Sequence, residues 1–318
     1  MCKIEMLFPK HIRCLFKTRE WLKGLEEIRV RIGQPMEFLY GNKICYLRLN
    51  SNEAVLCEDK EAWKNKTKLY PASSADIAEM MSYISNYSLY AYKEEIRQGY
   101  ITIEGGHRIG VAGQAAIEGG RIAGIYHIAF LNIRVAHERF GCADKILPFI
   151  RQKNSIYNTL ILSALGTGKT TLLRDSIRAL STGEEDIAGL KVCVVDERSE
   201  IAACYHGIPQ NDLGPRTDVL DGCGKAEGLL MLIRSMSPQV VAVDELGTQE
   251  DFLAVEQAVN CGSRVIGTVH AADMKELSEK KYLRQWMEKS IFKRFILIER
   301  ENAKRNISVF DEHMEKLC

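Results

Sequence analysis

Several common signatures are missing from this 318-residue chain. It has no run of about 18 apolar residues, so no membrane-spanning helix is expected. The N-terminal MCKIEMLFPKHIRC lacks a long apolar core, so no signal peptide is expected either. Neither sign of charge dominates: 43 Lys and Arg face 42 Asp and Glu. A net charge of +1 excludes a strongly basic chain with bulk affinity for nucleic acid. The ten cysteines stand singly, and no Cys-x-x-Cys pair occurs. Zinc-site and thioredoxin-type spacings are therefore lacking, and isolated cysteines in a chain this long fit a reducing cytosol. There is no internal repeat and no low-complexity segment. A soluble, cytoplasmic protein is the expectation.

Apolar residues make up 46% of the chain, enough for real cores. The length suits about two domains of ~150 residues each. Residues 1–140 read as a mixed α+β module. Short amphipathic helices are expected between 8 and 23, and Ile28–Ile32 alternates as a strand. Met36–Leu39 and Ile44–Leu47 bracket Gly41-Asn42 as a strand pair. The stretch 51–70 is polar and reads as loop. Ser73 or Ser74 is an N-cap for a helix over 75–86, followed by a second over 88–98. A glycine-rich meander follows, with turns at Gly105-Gly106 and Gly119-Gly120, and Leu131–Val135 is a further strand. Gly141–Gln152 reads as a helix leading into the second module.

From residue 150 the pattern becomes α/β. Apolar strands are expected at 158–163, 191–196, 239–244, 264–269 and 294–299, with helical stretches between, which is the pattern of a parallel sheet covered on both faces. The stretch Tyr157–Leu180 organises this half. Its strand Thr159–Leu162 runs into Ser163-Ala164-Leu165-Gly166-Thr167-Gly168-Lys169-Thr170-Thr171. A helix with Leu172, Leu173, Ile177 and Leu180 on one face follows. Backbone N–H groups of such a loop wrap phosphate oxygens at a helix N-terminus. Lys169 would reach the β/γ-phosphates and the Thr170 hydroxyl would hold Mg²⁺. The first position of the GxxxxGK[ST] pattern is Ser163 here.

Three more strand ends carry chemistry. Val240–Val243 ends in Asp244-Glu245, of Walker B type: one carboxylate for the metal side, one for the attacking water, with either order open. Val192–Val195 ends in Asp196-Glu197, which a parallel sheet would bring to the same edge. Arg264–Val269 ends in His270, placed to bond a γ-phosphate. Arg216, in the polar loop 211–222, is a candidate for reaching phosphate or a neighbouring subunit. A helix is expected over Lys225–Met236, with Leu229, Leu232, Ile233 and Met236 facing the core.

The runs EIRVRIGQP, QGYITIEGGHRIGVAG, VVDERSEIA, PQNDLGPRTDVLDGC, MLIRSMSPQVVAVDELGTQED and TVHAAD resemble the stage III sporulation protein AA family, within the type II and type IV secretion ATPase superfamily. That resemblance implies a RecA-like P-loop domain, 141–318, behind a smaller α+β N-terminal domain, 1–140. It implies ATP and Mg²⁺ as cofactors. Ser163–Thr171 would be the Walker A loop, where the family often has Ser first. Asp196, Glu197 and Glu200 would lie in the acidic Asp box, Asp244 and Glu245 would be Walker B, and His270 the His box. Thr170, Asp244 and Asp196 would lie on the metal side, with Glu245, Glu197 and His270 catalytic. Arg108 and Arg134 lie in segments resembling those that offer arginines to the nucleotide in ring ATPases. The family pattern also differs in two places: SALGTG lacks two prolines usual after the Ser, and Gly224 stands where Pro is expected. The resemblance further implies a homo-hexamer in the mother-cell cytoplasm that energises membrane-embedded channel proteins during endospore formation. A nucleic-acid-binding ATPase and a nucleotide-gated assembly protein are the alternatives. The basic segment 275–305 carries enough acids to read as a solvated helix face.

Overall fold

The computed structural model describes residues 4–14, 16, 18, 20–50, 53–58, 69–164, 166–184, 187–301 and 304–318. The chain divides into two compact units, Met1–His137 and Glu138–Cys318.

The first unit is built on an antiparallel sheet of seven strands in the order β4-β3-β2-β1-β7-β6-β5. The strands are β1 Glu27–Arg31, β2 Glu37–Tyr40, β3 Lys43–Asn50, β4 Glu53–Glu58, β5 Tyr100–Thr102, β6 Arg108–Glu118 and β7 Arg121–Arg134. β4 lies inside the stretch expected to be loop. It pairs with β3 at the sheet edge, and its short apolar run Ala54–Cys57 stands between acids in an otherwise polar stretch. Residues 59–68 of that expected loop lie outside the described residues. Short helical turns at Ile4–Leu7, α1 Lys10–Arg13 and Glu20–Leu22 cover the N-terminus. The helix expected over 75–86 is α2, Ser74–Ile84, and Ser73 caps it in a capping box with Asp76. The second expected helix is shorter: a 3₁₀ turn Leu89–Tyr92 and then α3, Lys93–Arg97. The strand expected at Leu131–Val135 is the end of the long β7.

The second unit opens differently from expectation. Of 141–152 only α4, Leu147–Ile150, is helical, with a proline in its first turn. Gly141 sits at φ 78, and the Ala143 N–H is committed to the Asp175 carboxylate at 2.8 Å, so the preceding turn does not extend as helix. Two small hairpins follow. They are β8 Arg151–Gln152 with β9 Ser155–Ile156, and β11 Gly183–Glu184 with β12 Ile187–Ala188.

The main sheet runs β14-β13-β15-β16-β10-β17-β18. Its strands are β10 Thr159–Ser163, β13 Val192–Asp196, β14 Thr217–Asp221, β15 Val240–Val243, β16 Arg264–His270, β17 Arg294–Glu301 and β18 Lys304–Asp311. All neighbours are parallel except the β17–β18 hairpin. β10, β13 and β15 are buried at every position because both faces are covered. Side-chain alternation splits the core accordingly. Ile161, Val192, Val194 and Ala242 pack with Leu172, Leu173, Ile177 and Leu180 of α5, Lys169–Thr182. Leu160, Leu162, Cys193, Val195, Val241 and Val243 pack on the other face. They meet α6 Lys225–Met236, α7 Gln249–Asn260 and the pair α8 Met274–Glu279, α9 Lys281–Glu288. Each Val, Leu or Ile among these contributes about 1.5–3 kcal/mol on burial. On α6, Leu229 and Leu232 are buried and Ile233 is partly so, but Met236 points outward at 43% exposure, contrary to expectation.

Candidate functional site

Parallel register sets the site. Ser163 pairs with His270, Val243 with Gly267 and Val195 with Val243. The ends of β10, β13, β15 and β16 therefore lie side by side at one edge of the sheet. Every chemistry-bearing residue expected at a strand end comes out at that edge.

β10 leads into the loop Ala164–Gly168, of which Leu165 lies outside the described residues. Gly166 and Gly168 have φ of 75 and 97, values that disfavour any side chain. At the first motif position, Ser163 acts through its hydroxyl, which donates to the Ala164 carbonyl at 2.8 Å. Thr167 closes the turn: its hydroxyl lies within hydrogen-bond reach of the Ser163 hydroxyl and 2.9 Å from the Ala164 carbonyl, with one proton to give. Lys169 starts α5 and is buried, with only 6% of the residue exposed. Its ammonium lies 3.2 and 3.4 Å from the Ser163 and Ala164 carbonyls and 2.9 Å from His270 Nδ1. Burial lowers its pKa, opposed by Asp244 and Glu245. Because the ammonium can only donate, Nδ1 of His270 accepts and the ring proton is at Nε2. That nitrogen lies 2.8 Å from Glu245 Oε1. Lys169, His270 and Glu245 thus form one hydrogen-bonded chain.

Asp244 is the second hub. The Thr170 hydroxyl donates to its Oδ2 at 2.7 Å, and the Thr268 hydroxyl donates to Oδ1. Glu245 follows at φ 54, a left-handed backbone. Its N–H is held by Thr268 Oγ1 at 2.9 Å and Asp244 Oδ1 at 3.1 Å. Its second carboxylate oxygen meets Arg198 at 3.1 Å. Burial alone would raise the Glu245 pKa, but the hydrogen bond from His270 Nε2, with the positive charges of Arg198 and Lys169 nearby, outweighs it and the pKa is lowered.

Asp196, expected on the metal side, has its carboxylate committed to backbone N–H groups. It is buried, and its two oxygens accept the N–H groups of Glu200, Ile201 and Ala202 at 2.8, 3.0 and 2.7 Å. Burial pushes its pKa up to about 6 against those three bonds. It folds the acidic segment back on itself. Glu197 pairs with Lys225 and, with Asp196, Glu200, Asp244 and Glu245, lines a small acidic cleft. Arg174 lies on α5 between the apolar positions of its buried face. It donates to the carbonyls of Glu200 and Ile201 at 2.7 and 2.8 Å and ties α5 to this segment. Spacing alone offers no signal for that bond.

Arg216 does not reach this edge. It precedes β14, at the opposite end of the strands, where its guanidinium donates to the Gly189 carbonyl. Arg108 and Arg134 belong to the first unit, where they are cross-strand partners of β6 and β7. The Arg108 guanidinium stacks over the Tyr100 ring at 3.6 Å. A separate concavity lined by Tyr157, Asn158, Arg264, Lys289 and Lys293 opens at the far end of the sheet, away from the phosphate loop.

Among the described residues no three His, Cys, Asp or Glu side chains form a ready metal cluster. The donor set at Thr170 and Asp244 fits Mg²⁺ nonetheless. That ion keeps its waters and takes one or two protein oxygens together with substrate phosphates.

A parallel sheet with a glycine-rich phosphate loop between a central strand and its helix defines the RecA-like P-loop class. The chain belongs to the family described as Sporulation stage III, protein AA, whose profile matches residues 2–317. It is 40% identical over 295 residues to the stage III sporulation protein AA of Bacillus subtilis strain 168, covering 92% of this chain and 89% of that one. An uncharacterized protein, ycf45, of Porphyra purpurea is 30% identical over 149 residues, 46% of this chain and 25% of that one. Among solved structures, the ATPase DotB of Legionella pneumophila aligns with TM-score 0.56 at 15% identity, over 91% of this chain and 77% of that one. The pilus retraction motor PilT with bound ADP aligns with TM-score 0.57 at 15% identity, over 92% and 80%. These likenesses speak to the fold. No helix among the described residues is long and apolar enough to cross a membrane.

Proposed function

We propose that this chain is a Mg²⁺-dependent ATPase of the secretion-motor kind. The observation that carries the reading is the double linkage at the sheet edge. Thr170 bonds Asp244 at 2.7 Å, and His270 joins the Lys169 ammonium to the Glu245 carboxylate at 2.9 and 2.8 Å. A loop that only bound phosphate would have no use for an ionised carboxylate oriented by a histidine and an arginine.

In this reading the N–H groups at the start of α5 and the Lys169 ammonium bind the phosphates. Thr170 and Asp244 would hold Mg²⁺, which when bound neutralises charge on the phosphate oxygens. Glu245 orients the attacking water and accepts its proton, its lowered pKa keeping it ionised at neutral pH. His270 holds that carboxylate through Nε2 and is placed to exchange its Nδ1 partner, Lys169, when phosphate draws the ammonium away. Asp196 and Glu197 shape the acidic segment, Asp196 through backbone bonds and Glu197 through Lys225.

Arg108 and Arg134 would be offered to the nucleotide in a homo-hexamer. The motor would sit in the mother-cell cytoplasm, docked on membrane-embedded channel proteins of the sporulation complex. Support for these parts is family membership and the ATPase fold. Phosphate release from the purified full chain, with and without Mg²⁺, tests the reading. Lys169→Ala and Glu245→Gln should each lower the rate by about 10²-fold or more. A wild-type rate matched by both variants refutes it. ATP binding without turnover in concentrated protein would favour a nucleotide-gated assembly role instead.

A further inference from the structure

The phosphate loop is touched by a residue from the far end of the chain. Arg305, at the start of β18, donates from Nη2 to the Gly168 carbonyl at 3.0 Å. Its guanidinium lies 3.4 Å from where a Cβ on Gly168 would stand. Leu172 N–H bonds the same carbonyl at 3.1 Å. Gly168 O is therefore held twice, once by its own helix and once from the C-terminal hairpin. The Nε of Arg305 is buried and has no hydrogen-bond partner among the described residues. Burial lowers the guanidinium's pKa, so its charge is held there at a cost. An arginine placed so has a directional task that packing alone would not need.

The task follows from peptide geometry. In a trans peptide the carbonyl of one residue and the N–H of the next point in opposite directions. Fixing Gly168 O aims the Lys169 N–H. That donor opens α5, has no partner within the helix, and faces the phosphate side of the loop. Gly168 itself, at φ 97, offers little resistance to rotation, so the Arg305 bond adds to the hold that the Leu172 N–H supplies from within α5. We infer that Arg305 is a nucleotide-positioning residue, which sets the peptide at Gly168–Lys169 for phosphate binding and ties the β17–β18 hairpin to the state of the loop. The inference rests on the proposed ATPase reading and adds a determinant outside the strand-end motifs.

An aimed donor acts on bound substrate and transition state alike, so it should appear in affinity more than in turnover. The test uses the full chain with Arg305→Met, which keeps the apolar stem, and Arg305→Lys, which keeps charge and one donor. Fluorescence titration with mant-ADP and KM for ATP are measured beside kcat, and thermal melts are taken without nucleotide. Arg305→Met should weaken ADP binding and raise KM about tenfold, with kcat changed less than about threefold. Arg305→Lys should recover part of the affinity, and both should melt with the wild type. Arg305→Met binding ADP as the wild type does overturns the inference, as do both variants losing affinity only in step with a lowered melting temperature. Lys169→Ala is the control: wild-type binding that Lys169→Ala abolishes and Arg305→Met leaves intact removes this inference alone. A folded wild type that binds no nucleotide removes the ATPase reading with it.

Discussion

Glu245 carries its carboxylate on a left-handed backbone, φ 54, at the end of β15. Comparing Glu245→Gly with Glu245→Ala isolates what that costs. Both variants lose the contacts to His270 and Arg198, so this loss cancels between them. At an ordinary position glycine is the less stable of the two by roughly 0.5–1 kcal/mol, because its unfolded chain has more freedom to lose. At a left-handed position alanine's Cβ costs about 1–2 kcal/mol that glycine does not meet. The second effect is the larger, so Glu245→Gly should be more stable than Glu245→Ala by about 0.5–1 kcal/mol. In thermal melts of the two proteins side by side, the glycine variant should unfold about 2 °C higher. Both should lose phosphate release. Glu245→Gln should keep the strain and lose the charge, melting below wild type and hydrolysing no faster than the other two. An alanine variant that melts at or above the glycine variant would refute the reasoning. It would mean that the turn after β15 relaxes to negative φ once the carboxylate is gone. The expected order would instead show strain held at the site by the two hydrogen bonds on the Glu245 N–H, a location where such strain commonly serves function.

Two other consequences concern stability alone. Asp196 has a folded pKa of about 6, above its ordinary 3.8. For a carboxyl group raised in this way, the protonated form is favoured by folding. Its contribution is complete below the unfolded pKa and is lost as pH rises through about 6, an order of about 3 kcal/mol at most. Asp196→Asn does not titrate. The wild type's stability relative to this variant should be greater at about pH 4.5 than at about pH 7.5, measured by urea unfolding, and a flat difference would refute it. Gly228 in α6 lies against β13, where an added Cβ would come 2.7 Å from both Cys223 Sγ and Val195 Cγ1. Gly228→Ala should therefore cost about 1 kcal/mol or more by overpacking, despite alanine's helix preference. The cost should shrink in a Val195→Ala background, and a double-mutant cycle on unfolding free energies checks it.

How much of this was legible in the sequence depends on how local the signal was. β10, β13, β15 and β16 are short apolar runs flanked by turns, and their burial on both faces makes that signal strong. β14 was not legible. It is an edge strand with Asp218 outward and Val219 and Leu220 each only partly covered, so TDVLD reads as a polar loop. β18, inside KRNISVFD, is hidden for the same reason at the other edge. The stretch before β8 shows the opposite error. Gly141–Gln152 reads as a helix from its sequence, but only Leu147–Ile150 is helical. The Asp175 carboxylate, 32 residues later, instead claims the Ala143 N–H. At the site, the types of the strand-end residues were readable, but their hydrogen-bond partners were not. Asp196 carries the same motif position as Asp244, yet one binds backbone N–H groups and the other two hydroxyls. Arg305 is separated from Gly168 by 137 residues, beyond any pattern of spacing.

The partners of Lys169 tie these parts together. In this structure its ammonium is spent inside the protein, on two loop carbonyls and on His270 Nδ1. Phosphate binding, on the proposed reading, has to compete for it, and the loop carbonyls of Ser163 and Ala164 are the weaker claims at 3.2 and 3.4 Å. Drawing the ammonium off would leave His270 Nδ1 without its donor. It would also remove one of the cations that lower the Glu245 pKa. Glu245 would become the better proton acceptor as the site fills, because a base gains strength when a neighbouring positive charge departs. The same chain that keeps a buried lysine satisfied would thereby link substrate arrival to the basicity of the carboxylate. The linkage needs His270 with both nitrogens engaged. Neither an asparagine nor a glutamine there would accept from the ammonium and donate to Glu245 through one rigid ring.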